Sequence, residues 1–370
     1  MNPLDLARPD IRALQPYSSA RMEARGGSIR LDANESPWPP FGGGAWNRYP
    51  DPQPEALVAR LAALYSVATD QLLVGRGSDE GIDLLVRAFC RAGRDAILIS
   101  PPTFGMYAVC ARVQGAGVVE VPLREDFTLD VDAVLAAVTS DVKLVFICAP
   151  NNPSGAGVPR ADILRLAQSL ADRALLVVDE AYVEFAESGS AFGSVADRVG
   201  ELANLAVLRT LSKAWALAGA RVGSLLADAR VVALLRKLMP PYPLPTPCAY
   251  IALDALTDAG KHVVDERVQT LRGERARLHR ELSMLAGVRA VLPSQANFLA
   301  VRFHDAEAAL LALREAGVTV RDLRRYPMLA DALRFAIGTR DENDRVLGVL
   351  HERGGAIVHS DHVTQLEQPA

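Results

Sequence analysis

Four short stretches of this chain place reactive side chains directly after apolar runs. Asp179 closes ALLVVD (174–179), and Lys213 follows LAVLRT (205–210) inside TLSKAWALAGARVG (210–223). Asn152 stands in PNNPSG (150–155), after KLVFICA (143–149), and Ser78 and Asp79 stand in GRGSDEGI (75–82), after LLV (72–74). Each has a plain reading: a turn aspartate, a surface lysine, an Asn-Pro turn, a glycine turn opening a capped helix. Their chemistry points further. A carboxylate at the end of a deeply apolar strand needs a cation if it is buried. A lysine among apolar neighbours and cations loses its proton more easily and becomes a nucleophile. Backbone N–H groups at a helix start favour a phosphate. Thr210, Ser212 and Arg221 suit a dianionic phosphate, the arginine through its planar fork.

These groups work together only if their elements bring them to one place. Between residues 55 and 226 near-continuous apolar runs alternate with amphipathic stretches. The runs are LLV, AILIS (96–100), VVEVPL (118–123), KLVFICA, ALLVVD, LAVLRT and RVGSLLA (221–227); the stretches include DEGIDLLVRAFCRA (79–92) and RADILRLAQSLADR (160–173). Strands without alternation are covered on both faces, so the pattern predicts an α/β fold with a mostly parallel sheet. Ligands of such sheets bind beyond the carboxyl ends of the strands. That rule gathers the glycine-rich turn, the amide, the acid, the lysine and the hydroxyl/arginine cluster into one site, a set that fits a phosphorylated pyridine aldehyde joined to a lysine.

The proline-rich MPPYPLPTP (239–247) reads as the exit from this unit. After it the sequence predicts one long helix over 249–286, a strand NFLAVRF (297–303), a helix over 305–316, and strands VTVRDL (318–323) and LRFAIG (333–338): a smaller α/β domain. The expected division is an arm over 1–28, a part of the small domain over 29–48, a large domain over 49–247, the rest of the small domain over 248–356, and a polar tail over 357–370.

Composition narrows the function classes. The 370 residues are 50% hydrophobic and 23% charged with a net charge of −4, enough for a large core and without the basic footprint of a nucleic-acid binder. No stretch approaches about 18 uninterrupted apolar residues, so no membrane span is expected, and MNPLDLARPDIRAL lacks a secretory pattern. The four cysteines, at 90, 110, 148 and 248, share no paired spacing, and Cys90 and Cys148, in apolar runs, read as buried thiols in a reducing cytoplasm. The six histidines do not fall at metal-ligand spacing with cysteines or acids, so no metal is expected.

In the order PYSSAR (16–21), LDANESP (31–37), RYPD (48–51), GRGSDEGI, PPTFGMY (101–107), PNNPSG, VVDEAYVEF (177–185), RTLSKAWALAGARVG (209–223), ANFL (296–299), GVTVRD (317–322) and LRFAIGT (333–339), the chain resembles the fold-type-I pyridoxal-phosphate aminotransferases. Within that family it is most similar to the group acting on histidinol phosphate. The resemblance implies a seven-stranded, mostly parallel sheet with a smaller α/β domain. It implies pyridoxal 5′-phosphate on Lys213, Asp179 at the pyridine nitrogen, Asn152 and Tyr182 at the ring oxygen, and Phe104 stacked on the ring. The phosphate would be held near Ser78 and Asp79 with Thr210, Ser212 and Arg221. A homodimer with shared sites is implied, Tyr49 reaching the neighbour's phosphate. Arg334 would grip the carboxylate of glutamate or 2-oxoglutarate and the phosphate of histidinol phosphate, Arg321 would be a second phosphate contact, and Tyr17 and Asn34 would close over the substrate or serve only arm packing and a turn.

Two positions depart from the family pattern: Ala220 stands where a larger apolar residue is common, and Ser154 where threonine is. Both keep the polarity. The scaffold is shared with decarboxylases of phosphorylated amino acids, whose lysine motif carries a proline that TLSKAWALAGAR lacks, and with aromatic or broad-range aminotransferases, which only assay separates. A cofactor-sensing transcription regulator would need a helix-turn-helix ahead of the enzyme part, where about 28 residues offer no room for one.

Overall fold

The computed structural model describes residues 2–17, 29–44 and 46–352. The expected polar tail and residues 18–28 of the expected arm lie outside the described residues. Two sheets organise the rest. The larger has seven strands: β1 (Leu72–Gly75), β2 (Ala96–Ile99), β3 (Gly117–Glu120), β4 (Val142–Cys148), β5 (Leu175–Asp179), β6 (Leu205–Thr210) and β7 (Gly223–Ala227). Their order is β1-β7-β6-β5-β4-β2-β3. The pairs β2–β3, β2–β4, β4–β5 and β5–β6 are parallel, whereas β7 runs antiparallel to both β1 and β6.

Strands β1, β2, β5, β6 and β7 are buried at every position, because helices cover both faces. One face packs Leu72, Val74, Leu98, Val145, Ile147, Leu176, Val178 and Val207 against the helices Glu55–Tyr65 and Arg160–Ser169. The other packs Leu73, Ile97, Phe146, Val177, Leu208 and Leu225 against Ser78–Phe89, Met106–Gln114 and Ala229–Arg236. Alternate residues of each strand serve opposite faces, as the pleat requires.

Where they are described, the leading residues pack against the large unit. Ala7 is buried, Leu4, Leu6 and Ile11 pack on the second of these faces, and Arg8 N–H donates to the Ala88 carbonyl (3.0 Å).

The second sheet has the order β10-β11-β9-β8, with β8 (Val288–Val291), β9 (Phe298–Phe303), β10 (Arg321–Asp322) and β11 (Ala332–Ala336). The helices Ala306–Glu315, Arg340–Glu352 and Asp258–Ser283 pack about it. Strand β8 has no counterpart in the sequence reading: its VRAV pattern is mostly exposed, and it is recognisable only by pairing with β9. The single long helix expected over 249–286 is two, Thr246–Ala255 and Asp258–Ser283. Thr257 caps the second, its hydroxyl accepting the Gly260 N–H (3.0 Å), and an N-cap is not helical. The strand expected over 318–323 is reduced to two residues.

Candidate active site

A cavity at the carboxyl ends of β4, β5 and β6 is lined by Ser78, Asp79, Phe104, Asn152, Asp179, Tyr182, Thr210, Ser212, Lys213 and Arg221, together with Cys148 and Ala181. Ten residues named from sequence meet here, drawn from five segments far apart in the chain.

The anion end is built by close backbone approach. Gly77 is the N-cap of Ser78–Phe89 with φ of 79° and offers no side-chain cap, and the first two residues of this twelve-residue helix, Ser78 and Asp79, line the cavity. A Cβ on Gly77 would lie 2.6 Å from Arg221 Nη2. Arg221 donates to Ser212 Oγ (3.1 Å) and to Asp79 Oδ2 (3.2 Å), and Thr210 Oγ1 accepts the Ser212 N–H (3.1 Å). Helix N–H groups, two hydroxyls and a guanidinium form a cradle for a doubly charged phosphate.

At the opposite end Asp179 is 3% exposed. Its Oδ1 accepts the Ala181 N–H (3.1 Å) and its Oδ2 accepts the Tyr107 hydroxyl (2.7 Å). Burial pushes the carboxyl up to about 6, and the Tyr107 bond opposes that rise. A buried carboxylate with acceptor capacity left over suits a protonated ring nitrogen. Lys213 sits between these ends in the loop after β6, its Nζ 5.6 Å from the Tyr182 ring centroid. Desolvation lowers its pKa, and the charges of Arg334 and Arg221 lower it further, so a neutral amine is accessible.

Asn152 Nδ2 donates to Tyr182 Oη (3.3 Å), and Arg334 donates to Asn152 Oδ1. Arg334 lies on β11 directly opposite Arg321 on β10, its guanidinium 5.0 Å from the Phe298 ring centroid. Burial lowers the Arg334 pKa, and Arg321 adds to that. Two cations facing each other across a strand pair repel unless an anion joins them. Tyr49, Asn34 and Tyr17 lie elsewhere in the single chain. Tyr49 stacks on Tyr242 (centroids 4.3 Å apart) and lines a second cavity with Asn34, while Tyr17 is 72% exposed.

The family model for aminotransferase class I and II matches residues 41–350. The chain belongs to the class I and II aminotransferases. Among similar relatives, the histidinol-phosphate aminotransferase of Xanthomonas campestris pv. campestris is 55% identical over 356 residues, 95% of this chain and 97% of the relative. That of Stenotrophomonas maltophilia is 54% identical over 359 residues, 95% and 98% of the two chains. Among solved structures, histidinol-phosphate aminotransferase from Sinorhizobium meliloti in complex with pyridoxal-5′-phosphate aligns with a TM-score of 0.76 at 26% identity, over 95% of this chain and 98% of that one.

The aminotransferase cavity also contains groups that sequence reasoning did not single out. Cys148 and Ala181 line it, and Tyr107 stands behind Asp179. Cys148 lies opposite Asp179 in the β4–β5 register. A further pair lies behind the site: Glu180 and Arg209, next in sequence to Asp179 and Thr210, point to the opposite face. Arg209 donates to Glu180 (3.1 Å) and to Glu184 (2.7 Å), and Glu180 also accepts from Ser194 Oγ (2.5 Å) and Val195 N–H (2.7 Å). This buried network joins the ends of β5 and β6, which carry Asp179 and Thr210. The available signal was an Asp-Glu pair ending one apolar run and an Arg-Thr pair ending the next.

Proposed function

We propose that this aminotransferase uses pyridoxal 5′-phosphate to transfer the amino group of histidinol phosphate to 2-oxoglutarate, giving imidazole acetol phosphate and glutamate in histidine biosynthesis. The observation that carries the substrate assignment is the register of Arg321 opposite Arg334, whose guanidinium donates to the cavity residue Asn152. One cation would serve a carboxylate; two facing cations suit a phosphate dianion, and the same Arg334 then serves the dicarboxylic partner. The 55% identity to histidinol-phosphate aminotransferases across the chain supports the same reading.

The residues present fit the cofactor. The uncapped start of Ser78–Phe89 with Thr210, Ser212 and Arg221 would hold its phosphate, Asp179 its ring nitrogen, Asn152 and Tyr182 its ring oxygen, Phe104 one ring face, and Lys213 its aldehyde carbon. The cofactor supplies an electron sink for the carbon that loses its proton. The protein supplies the rest. Lys213 Nζ, whose pKa burial and the nearby arginines lower, takes the proton from the amino-bearing carbon and returns it elsewhere. Asp179 keeps a proton on the ring nitrogen by holding negative charge beside it. Arg334 orients the substrate by its anion.

The working unit is a homodimer in this reading. Tyr49 and Asn34 line an exposed cavity together with Trp46 and Pro245–Pro247, a surface a second copy would cover while bringing Tyr49 to its neighbour's cradle; Tyr17 and Asn34 would then close over substrate. Residues 49–247 form the large domain and residues 29–48 with 248–356 the small one, residues 353–356 lying outside the described range. Among the described residues no helix is long and apolar enough to cross a membrane, and all four cysteines are free thiols, which supports a reducing, cytoplasmic setting. Small-molecule substrates, and neither nucleic acid nor membrane, are its partners.

The deciding experiment is a half-reaction. Holoenzyme is mixed separately with histidinol phosphate, glutamate, phenylalanine and O-phosphothreonine, and loss of the lysine-bound cofactor's visible absorbance is followed. Rapid loss with histidinol phosphate and glutamate is expected. Equal rates with phenylalanine would make the enzyme a broad-range aminotransferase, and carbon dioxide release from O-phosphothreonine would make it a decarboxylase.

A further inference from the structure

Tyr107 is the second residue of the helix Met106–Gln114 and is fully buried. Its ring is stacked on Phe146 (centroids 4.8 Å, interplanar angle 15°) and meets the edge of Phe104 (5.6 Å, 80°). A tyrosine so enclosed needs a partner for its hydroxyl, and the partner is Asp179 Oδ2 at 2.7 Å. The second carboxylate oxygen is occupied by the Ala181 N–H, so the two bonds together fix the carboxylate plane. Burial and the neighbouring Asp179 charge hold the Tyr107 hydroxyl well above its usual range, so it remains a donor.

We propose that Tyr107 is a positioning residue of this enzyme, whose hydroxyl holds the Asp179 carboxylate charged and oriented toward the ring nitrogen of the cofactor. The inference rests on the placement of Asp179 proposed above. The other ionisable groups about Asp179 are Cys148 from β4, Asp79 from the helix Ser78–Phe89, Tyr182 from the loop after β5 and Lys213 from the loop after β6. Burial raises the Cys148 and Tyr182 pKa values, so both stay neutral. Asp79 disfavours the charge on Asp179, and Lys213 favours it once protonated. Tyr107 is thus the neutral side-chain donor that stabilises the charged carboxylate at every working pH.

The test uses Tyr107→Phe, which keeps the ring between Phe104 and Phe146 and removes one oxygen. Affinity of the apoprotein for pyridoxal 5′-phosphate is measured by equilibrium dialysis across pH, beside wild type, so that ionisations of the cofactor itself are common to both. The pH below which affinity falls is expected to rise by roughly one to two units, the worth of a hydrogen bond to a charged group, with near-wild-type affinity on the alkaline side. Placing 3-fluorotyrosine, a stronger donor, at position 107 is expected to move the same limb to lower pH, and this test remains if Tyr107→Phe does not fold. An unmoved limb, or a uniform loss of affinity at all pH values, overturns the inference. Asp179→Asn separates the two layers. If it leaves affinity unchanged, the placement of Asp179 falls, and Tyr107 with it. If it weakens binding while Tyr107→Phe moves nothing, only the role of Tyr107 falls.

Discussion

Replacing Gly223 by alanine would add a single methyl group at the point where β7 meets the start of the helix Ser78–Phe89. Gly223 pairs with Gly75 of β1 on one side and Thr210 of β6 on the other. A Cβ there would lie 2.3 Å from the Gly77 carbonyl carbon and 2.4 Å from Ser78 N. Both are backbone atoms, and carbon contacts settle near 3.5 Å, so one side must retreat by about 1 Å. Strand β7 is held on both edges, whereas Gly77 caps a helix without side-chain bonds, so the cradle is the side that yields. Overpacking of this kind costs roughly 1–3 kcal/mol of stability. Losing one charge-assisted N–H bond to a phosphate costs roughly 1.5–3 kcal/mol more in binding, or about 10- to 100-fold in Kd. Dialysis gives the affinity of apoprotein for pyridoxal 5′-phosphate, and urea denaturation gives the stability. Gly219→Ala, where a Cβ would meet nothing within 4 Å, is the silent control. Gly223→Ala binding the cofactor within twofold of wild type would refute the account, because the strain would then have been relieved away from the cradle.

Three further outcomes are expected. Asp179 has a folded pKa of about 6 against an ordinary 3.8, so its ionisation opposes folding once the pH exceeds 6, and the penalty fades as the pH falls toward 4. Apo Asp179→Asn should therefore be more stable than wild type at pH 7.5, by up to about 3 kcal/mol, and the gap should close near pH 4 in parallel urea titrations. Arg209→Leu strands Glu180 as a buried, unpaired charge and should cost roughly 3–5 kcal/mol; adding Glu180→Gln should recover part of that loss in the same denaturation assay. Arg334→Ala should raise KM for glutamate about 10- to 100-fold while the Kd for pyridoxal 5′-phosphate, read by dialysis, moves only a few-fold; equal losses would remove the arginine from the substrate-anion role.

The seven strands of the large sheet were legible as apolar runs, most of them because burial on both faces writes them so, and the exposed edge strand β3 because its valines stand in VVEVPL; most of the cavity was legible with them, since Asn152, Asp179, Thr210 and Lys213 come at or just after strand ends. Strand β8 was not, since VRAV is four residues broken by an arginine with only Val291 buried, too short a run to show. The break at Thr257 was hidden by helix-favouring residues on both sides, although a threonine there can cap. Tyr107 lay inside a recognised motif, yet its bond spans 72 positions of sequence, a pairing that neither composition nor periodicity encodes. Tyr17, Asn34 and Tyr49 stand apart from the cavity within one chain, and the proposed dimer is what would unite them with it.

The reversed direction of β7 has a consequence for how this enzyme can change. Because β7 returns antiparallel beside β6, residues 211–222 form a loop anchored in the sheet at both ends. Leu211 N–H donates to the Val222 carbonyl (3.0 Å) and Leu217 N–H to the Leu211 carbonyl (3.0 Å). Lys213 and Arg221 therefore ride on one closed clasp, so a displacement of either end of the loop is felt by both. With Arg321 and Arg334 in the substrate role proposed above, adaptation to a new amino donor would fall to the strand pair that carries them, outside that clasp.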